Sequence, residues 1–179
     1  MRTKLAIAAV LAVVFAVAGV TIASADSKGS RHDDDHARVI KLFSRTADEA
    51  RAQFVDVPPL QHSDTDPPTL GDHFVFSDDL FDHEGGTKVG IDGAVCTVVR
   101  LDPLSGPTEA VLQCQATISL ADGQITVQGL FTTPLSGVAE PFDLAVTGGT
   151  GAYEGAEGHL TVEELSDTDA NLTVVLTDD

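Results

Sequence analysis

Four groups of residues in this sequence could do chemistry. Asp78 lies in the run His73 to Asp82, HFVFSDDLFD, on the face that also carries Phe74, Phe76 and Leu80. A carboxylate among large apolar side chains resists ionising, which makes Asp78 a candidate general acid or base. If the same face opens at a wet mouth, Asp78 stays hydrated and ordinary. Cys96 and Cys114 are the two cysteines of the chain. Folding that region about residue 105 sets them opposite one another, as a disulfide; otherwise both are buried thiols, or Cys96 is a functional one. Gly148-Gly149-Thr150-Gly151, followed by Gly155, suggests a phosphate-cradling loop. Its spacing is G-x-G-x-x-x-G and no helical period follows, so a tight β-corner is the better reading. His32 and His36 bracket Asp33 to Asp35, a donor set that suits divalent ions. The surrounding DSKGSRHDDDHA has no apolar periodicity, and a solvated tail holds no fixed coordination geometry, so no metal site is expected there.

Elements must hold these residues in place, and the N-terminus has to be set aside first. Arg2 and Lys4 precede an uncharged apolar run from Leu5 to Ile22, and Ala23-Ser24-Ala25 then offers an A-x-A cleavage site. This is the pattern of a secretory signal peptide, residues 1–25, with an uncleaved membrane anchor as the alternative. The expected exported chain is a flexible acidic tail, residues 26–37, followed by one domain, residues 38–179. Without Arg2 and Lys4 there are eight basic residues against twenty-eight acidic ones, a formal charge of −20. Such a surface repels phosphate backbones and anionic membranes, so nucleic acid is not an expected partner.

Strand signals fill the rest. Arg38 to Thr46, RVIKLFSRT, sets Ile40, Leu42 and Ser44 on one face and Val39, Lys41, Phe43 and Arg45 on the other. ADEARAQ, residues 47–53, has short helical character, and the proline pairs at 58–59 and 67–68 make the following stretch a loop. His73 to Asp82 is the second strand. Gly90 to Leu101 and Glu109 to Leu120 form a hairpin, and the latter alternates cleanly from Leu112 to Leu120. Gln124 to Phe131, with Ile125 and Val127 on one face, is the fifth strand. Phe142 to Thr147, His159 to Leu165 and Ala170 to Thr177 complete eight. The sequon Asn171-Leu172-Thr173 falls inside the last of them. Eight short strands with tight turns and no long amphipathic helix predict an all-β fold, a barrel or a sandwich. A closed barrel of eight strands would hold side chains or one small ligand inside.

Several segments resemble one family, in order. LAVTGGTGAYEGAEG, residues 144–158, resembles the LAVTGG-(S/T)-G-x-(F/Y)-E-G signature of allene oxide cyclases and, more loosely, the GGTG-x-F-x-x-ARG signature of dirigent proteins. Gly71-Asp72 with Phe76 to Phe81 resembles their GD…FTNKLY element, Gly93 to Cys96 their AGLC strand, and Asp122 to Gly129 their YGHISVQG strand. The chain is identified as an exported member of this allene oxide cyclase/dirigent-like superfamily. The resemblance implies an eight-stranded antiparallel closed barrel that is commonly a homotrimer, works without cofactor, and steers the cyclisation of a small hydrophobic molecule in an apolar lumen. The family's cavity asparagine falls on Asp78 and its cavity cysteine on Cys96. Of its first-strand E-x-N-E-R motif, laid on residues 41–45, only Arg45 survives; Lys41 and Phe43 replace the glutamate and asparagine.

The expected catalytic set is therefore Asp78, Cys96 and Arg45, with Phe74, Phe76, Leu80 and Val127 lining the lumen. Three functions follow: a cofactor-free cyclase or isomerase, a secreted carrier of an apolar ligand, or a structural surface protein with a filled barrel.

Overall fold

A computed structural model describes residues 37–48, 51–57, 67–103 and 106–177. The expected signal peptide, the tail up to His36, Pro58-Pro59 and Leu104-Ser105 lie outside the described residues. Ten strands follow in order: β1 (Arg38–Arg45), β2 (Ala52–Val55), β3 (His73–Phe76), β4 (Asp79–Phe81), β5 (Lys88–Asp102), β6 (Glu109–Leu120), β7 (Gly123–Pro134), β8 (Phe142–Gly151), β9 (Glu157–Glu164) and β10 (Asp169–Thr177). All pairings are antiparallel. They close a ring of eight, β1-β4-β5-β6-β7-β8-β9-β10 and back to β1, the barrel that the family resemblance implies and not a sandwich. A closed ring leaves no unpaired edge among its members.

Two local expectations change. Residues 52–55 form a strand, not a helical turn: Ala52 to Val55 pair with Phe76 to His73. Phe54 and Val55 favour a pleated partner, and this long-range ladder overrides the weak helical preference of the alanines and glutamate before it. The second strand is also broken. Its first half, β3, pairs with β2 and with β5 at Thr97 to Ala94, and its second half, β4, pairs with β1 and with β5 near Ile91. Ser77 and Asp78 sit in the gap.

Inward residues form two apolar clusters. The larger contains Leu42, Leu80, Ile118, Ile125, Val127, Leu144, Leu160 and Val174, together with Tyr153. The smaller contains Cys96, Val98, Leu112 and Cys114, with Phe74, Phe76 and Phe131 packed against it. Cys96 and Cys114 face each other in register and are joined as a disulfide, as the hairpin reading allows. The rings of Phe131 and Phe142 stack at 3.7 Å, beyond the last paired residues of the β7–β8 ladder.

The glycine stretch is a corner between β8 and β9. It carries Tyr153, only 4% exposed, into the larger cluster, while the Arg38 guanidinium lies 5.0 Å above its ring. Gly149 is where two backbones pass closest: a Cβ there would collide with the Tyr153 carbonyl oxygen and lie 2.6 Å from that of Gln124. Backbone atoms cannot swing aside as a side chain can. Gly149→Ala is expected to cost about 2 kcal/mol, an overpacking penalty, read as a lower midpoint in thermal unfolding. An unchanged midpoint would mean that the corner is slack.

Candidate functional site

The inward positions along the broken strand run Phe74, Phe76, Asp78, Leu80. The phenylalanines belong to the smaller cluster and Leu80 to the larger, so Asp78 falls between the two. It is 8% exposed. Ser44 and Thr46, at the end of β1, donate their hydroxyls to its two oxygens: Ser44 Oγ to Oδ2 at 3.0 Å and Thr46 Oγ1 to Oδ1 at 2.5 Å. A second buried carboxylate meets it. Asp92 of β5 shares the inward face with Ala94, Cys96 and Val98. The Asp78 N–H donates to Asp92 Oδ1 at 2.9 Å, and the Asp92 N–H donates to the Asp78 carbonyl oxygen at 3.0 Å. Ser77 Oγ donates to the Asp92 carbonyl oxygen at 2.5 Å. These bonds use the backbone groups freed by the gap between β3 and β4, so the break and the carboxylate pair form one feature.

The two acids are held differently. Both oxygens of Asp78 accept a hydroxyl, whereas Asp92 accepts one backbone N–H and no donor among the described residues reaches its Oδ2. Burial pushes the Asp92 carboxyl up to about 7, the neighbouring Asp78 charge adds to the rise, and the N–H bond from Asp78 partly offsets it. Near neutral pH one carboxyl of the pair can therefore give or take a proton, as general acid–base chemistry requires.

The other expected site residues are placed as follows. Arg45 faces outward, away from Ser44 and the pair. Its guanidinium binds Asp169 with two bonds, at 2.8 and 3.1 Å, lies over the Phe43 ring at 5.0 Å, and holds the Asp169 carboxyl below its usual range. The β1 register explains this. Inward positions are Ile40, Leu42 and Ser44, so Lys41, Phe43 and Arg45 occupy the outer face. The disulfide leaves Cys96 without a thiol, so it is not available as a nucleophile. Leu80 and Val127 are almost wholly enclosed by the larger cluster and offer no surface to a ligand. Phe74 and Phe76 stay half-buried beside the disulfide, with Phe74 also 5.1 Å from Phe54 across β2 and β3. Asp72, fully buried, accepts the Val57 N–H and the Thr69 N–H and hydroxyl, and so ties down the loop before β3. An open groove beside the glycine corner is lined by Val146 to Gly148 and Gly155 to Gly158 and contains neither inward carboxylate.

Sequence reasoning missed Asp92. The signal was present: Asp92 has the parity of Ala94, Cys96 and Val98, the same argument that singles out Asp78. Ser44 was legible as sharing a face with Ile40 and Leu42, but which way that face points, and its partner, came only from the fold.

Comparison with known proteins agrees with this architecture. The sequence pattern of the allene oxide cyclase barrel like domain matches residues 57–176. No curated protein sequence matches significantly. Among solved structures, a pyocyanin demethylase is 29% identical, covers 78% of this chain and 100% of its own, and superposes with a TM-score of 0.59. The pterocarpan synthase dirigent protein PsPTS1 is 16% identical, with 80% and 96% covered and a TM-score of 0.56. The Diels-Alderase AbmU from Streptomyces koyangensis is 10% identical, with 83% and 71% covered and a TM-score of 0.55.

Proposed function

We propose, from the premise that this chain belongs to the family of the allene oxide cyclase barrel like domain, that it binds a small hydrophobic molecule inside the barrel and steers its cyclisation or isomerisation without a cofactor. The observation that carries the reading is the enclosed Asp78–Asp92 pair, set between apolar clusters where positive charge or a mobile proton on a substrate would be stabilised. Phe74 and Phe76 would form the apolar wall, and the barrel would hold one conformer of a reactive chain. The similarity to a pyocyanin demethylase and to a Diels-Alderase supports an enzyme acting on a small molecule.

The protein would be exported, with cleavage near Ala25, and the cross-strand disulfide is compatible with an oxidising compartment. A homotrimer would cover the outward Val75, Ile91, Val95 and Val99, each at least 39% exposed on adjoining strands β3 and β5. Light scattering on the exported form is expected to give three copies per particle; a monomer would rule this out.

The test of function is product selectivity. Purified protein is mixed with short-lived polyene and epoxide substrates, and the stereoisomer ratio of the cyclised product is compared with the spontaneous reaction. A shifted ratio is expected. An unchanged ratio with every substrate, together with a tightly held extracted lipid or pigment, would favour the carrier reading, to which the apolar Ile40 and Leu42 on the inner face of β1 lend some support.

A further inference from the structure

Resting on the reading above, we infer that a ligand enters the barrel through a seam between β7 and β8, and that residues 135–141 form the strap that closes it. The argument starts from a ladder that stops short. β7 and β8 pair from Gly123 and Gly151 as far as Gln128 and Ala145. Beyond that point Gly129 to Pro134 pair only with β6, and Phe142 to Leu144 only with β9. What spans the seam instead is the stack of Phe131 on Phe142. Both rings are half-buried, and Phe131 packs against both apolar clusters, so the seam gives onto both halves of the interior. The glycine corner offers no such way in: Leu80, Ile118 and Ile125 are at most 1% exposed, and Tyr153 packs among them.

The second observation is how the strap is fastened. At its start Leu135 packs against the smaller cluster, and its N–H donates to the Thr108 carbonyl oxygen at 2.9 Å, just before β6. Further on, Ala139 is 5% exposed, and its N–H donates to Glu164 Oε2 at 3.0 Å. Glu164 ends β9 on the face of Leu160 and Val162. Its register partner is Ala170, which in turn partners Ser44. The strap therefore reaches from the β6 side past β7 and β8 to β9, and is held there in the register row of the Ser44–Asp78 bond. Among the described residues no other side chain bonds residues 135–141. Opening breaks one charge-assisted bond and one ring pair and leaves every ladder intact, so it costs far less than unfolding.

Stopped-flow binding of N-phenyl-1-naphthylamine, a neutral dye that fluoresces in apolar surroundings, tests this on the purified protein. Glu164→Ala is expected to raise the association and dissociation rates together by about ten-fold, the equivalent of one hydrogen bond to a charged group. Affinity stays within about two-fold, because the strap closes over the free and the filled barrel alike. Glu164→Gln, whose side-chain oxygen can still accept the Ala139 N–H, keeps the wild-type rates. So does Glu163→Ala, at the outward neighbour that bonds Asn171. Exchange of the Ala139 amide hydrogen speeds up in Glu164→Ala, while the amides of Cys96 and Cys114, in the β5–β6 ladder, keep their protection. Dye binding with unchanged rates in Glu164→Ala overturns the seam as the entrance and leaves the binding lumen standing. Faster release without faster entry does the same, since it would mark Glu164 as a ligand contact. Absence of dye binding overturns both readings. If Glu164→Ala does not fold, Phe142→Leu, which removes the ring stack but keeps an apolar side chain, is held to the same criteria.

Discussion

Asp78→Asn is expected to lower turnover by about 10²- to 10⁴-fold, the usual range for loss of a positioned acid or base. The asparagine keeps the size of the side chain, and its oxygen can still accept the Ser44 or the Thr46 hydroxyl. It loses the negative charge and the capacity to exchange a proton. The change should therefore fall on kcat, with KM little affected, because the apolar walls that hold the substrate remain. Asp79→Asn is the matched control. Asp79 is next in sequence but faces outward, where it pairs with Arg51 at 2.9 Å and Lys88 at 2.7 Å. Its loss should leave kcat unchanged. If Asp78→Asn turns over at the wild-type rate on every substrate that the protein accepts, Asp78 has no chemical role.

Asp92→Asn should change the pH dependence of stability more than any surface substitution. In the folded protein this carboxyl is raised from 3.8 to about 7. Between those values the native state holds a proton that the unfolded chain has released. Stability therefore falls as pH rises from about 4 to about 7, the reverse of a salt-bridged carboxylate. Three pH units correspond to about 4 kcal/mol as an upper bound. Asparagine can still accept the Asp78 N–H but has no charge to bury. Near pH 4 variant and wild type should unfold at similar urea concentrations, and at pH 8 the variant should be the more resistant. Parallel profiles across that range would show that Asp92 ionises freely in the fold. The two substitutions thus separate roles: the first removes activity, and the second removes a cost of folding that a working site imposes.

Much of the barrel was written in alternation. β6 and β10 show period-two patterning over most of their length, and the fold about residue 105 that set Cys96 against Cys114 matches the register. The glycine corner was legible as a close approach of backbones, but its reason was not, because no local signal says that Tyr153 turns into the core. β2 escaped because four residues on an outer strand carry less pattern than the helix-forming residues beside them. The misplacement of Arg45 has a parity cause. Matching a motif to residues 41–45 put on the inner face what the β1–β10 ladder places outside, and a shift of one residue inverts every side chain. Asp92 was missed for a different reason. Its strand reads as apolar and cysteine-bearing, and a single acid at one end resembles a solvated terminus. Only the break between β3 and β4 shows that Asp78 crosses to meet it.

The central claim is that two carboxylates are enclosed together inside this barrel and that one of them titrates near neutrality. Carbon-13 NMR of the aspartate side-chain carboxyls, followed from pH 3 to 9, tests it directly. One resonance is expected to have a midpoint near 7, to vanish in Asp92→Asn and to be perturbed in Asp78→Asn. If every aspartate has completed its titration below about pH 5, as hydrated carboxyls do, the pair is open to water and the proposed site does not exist.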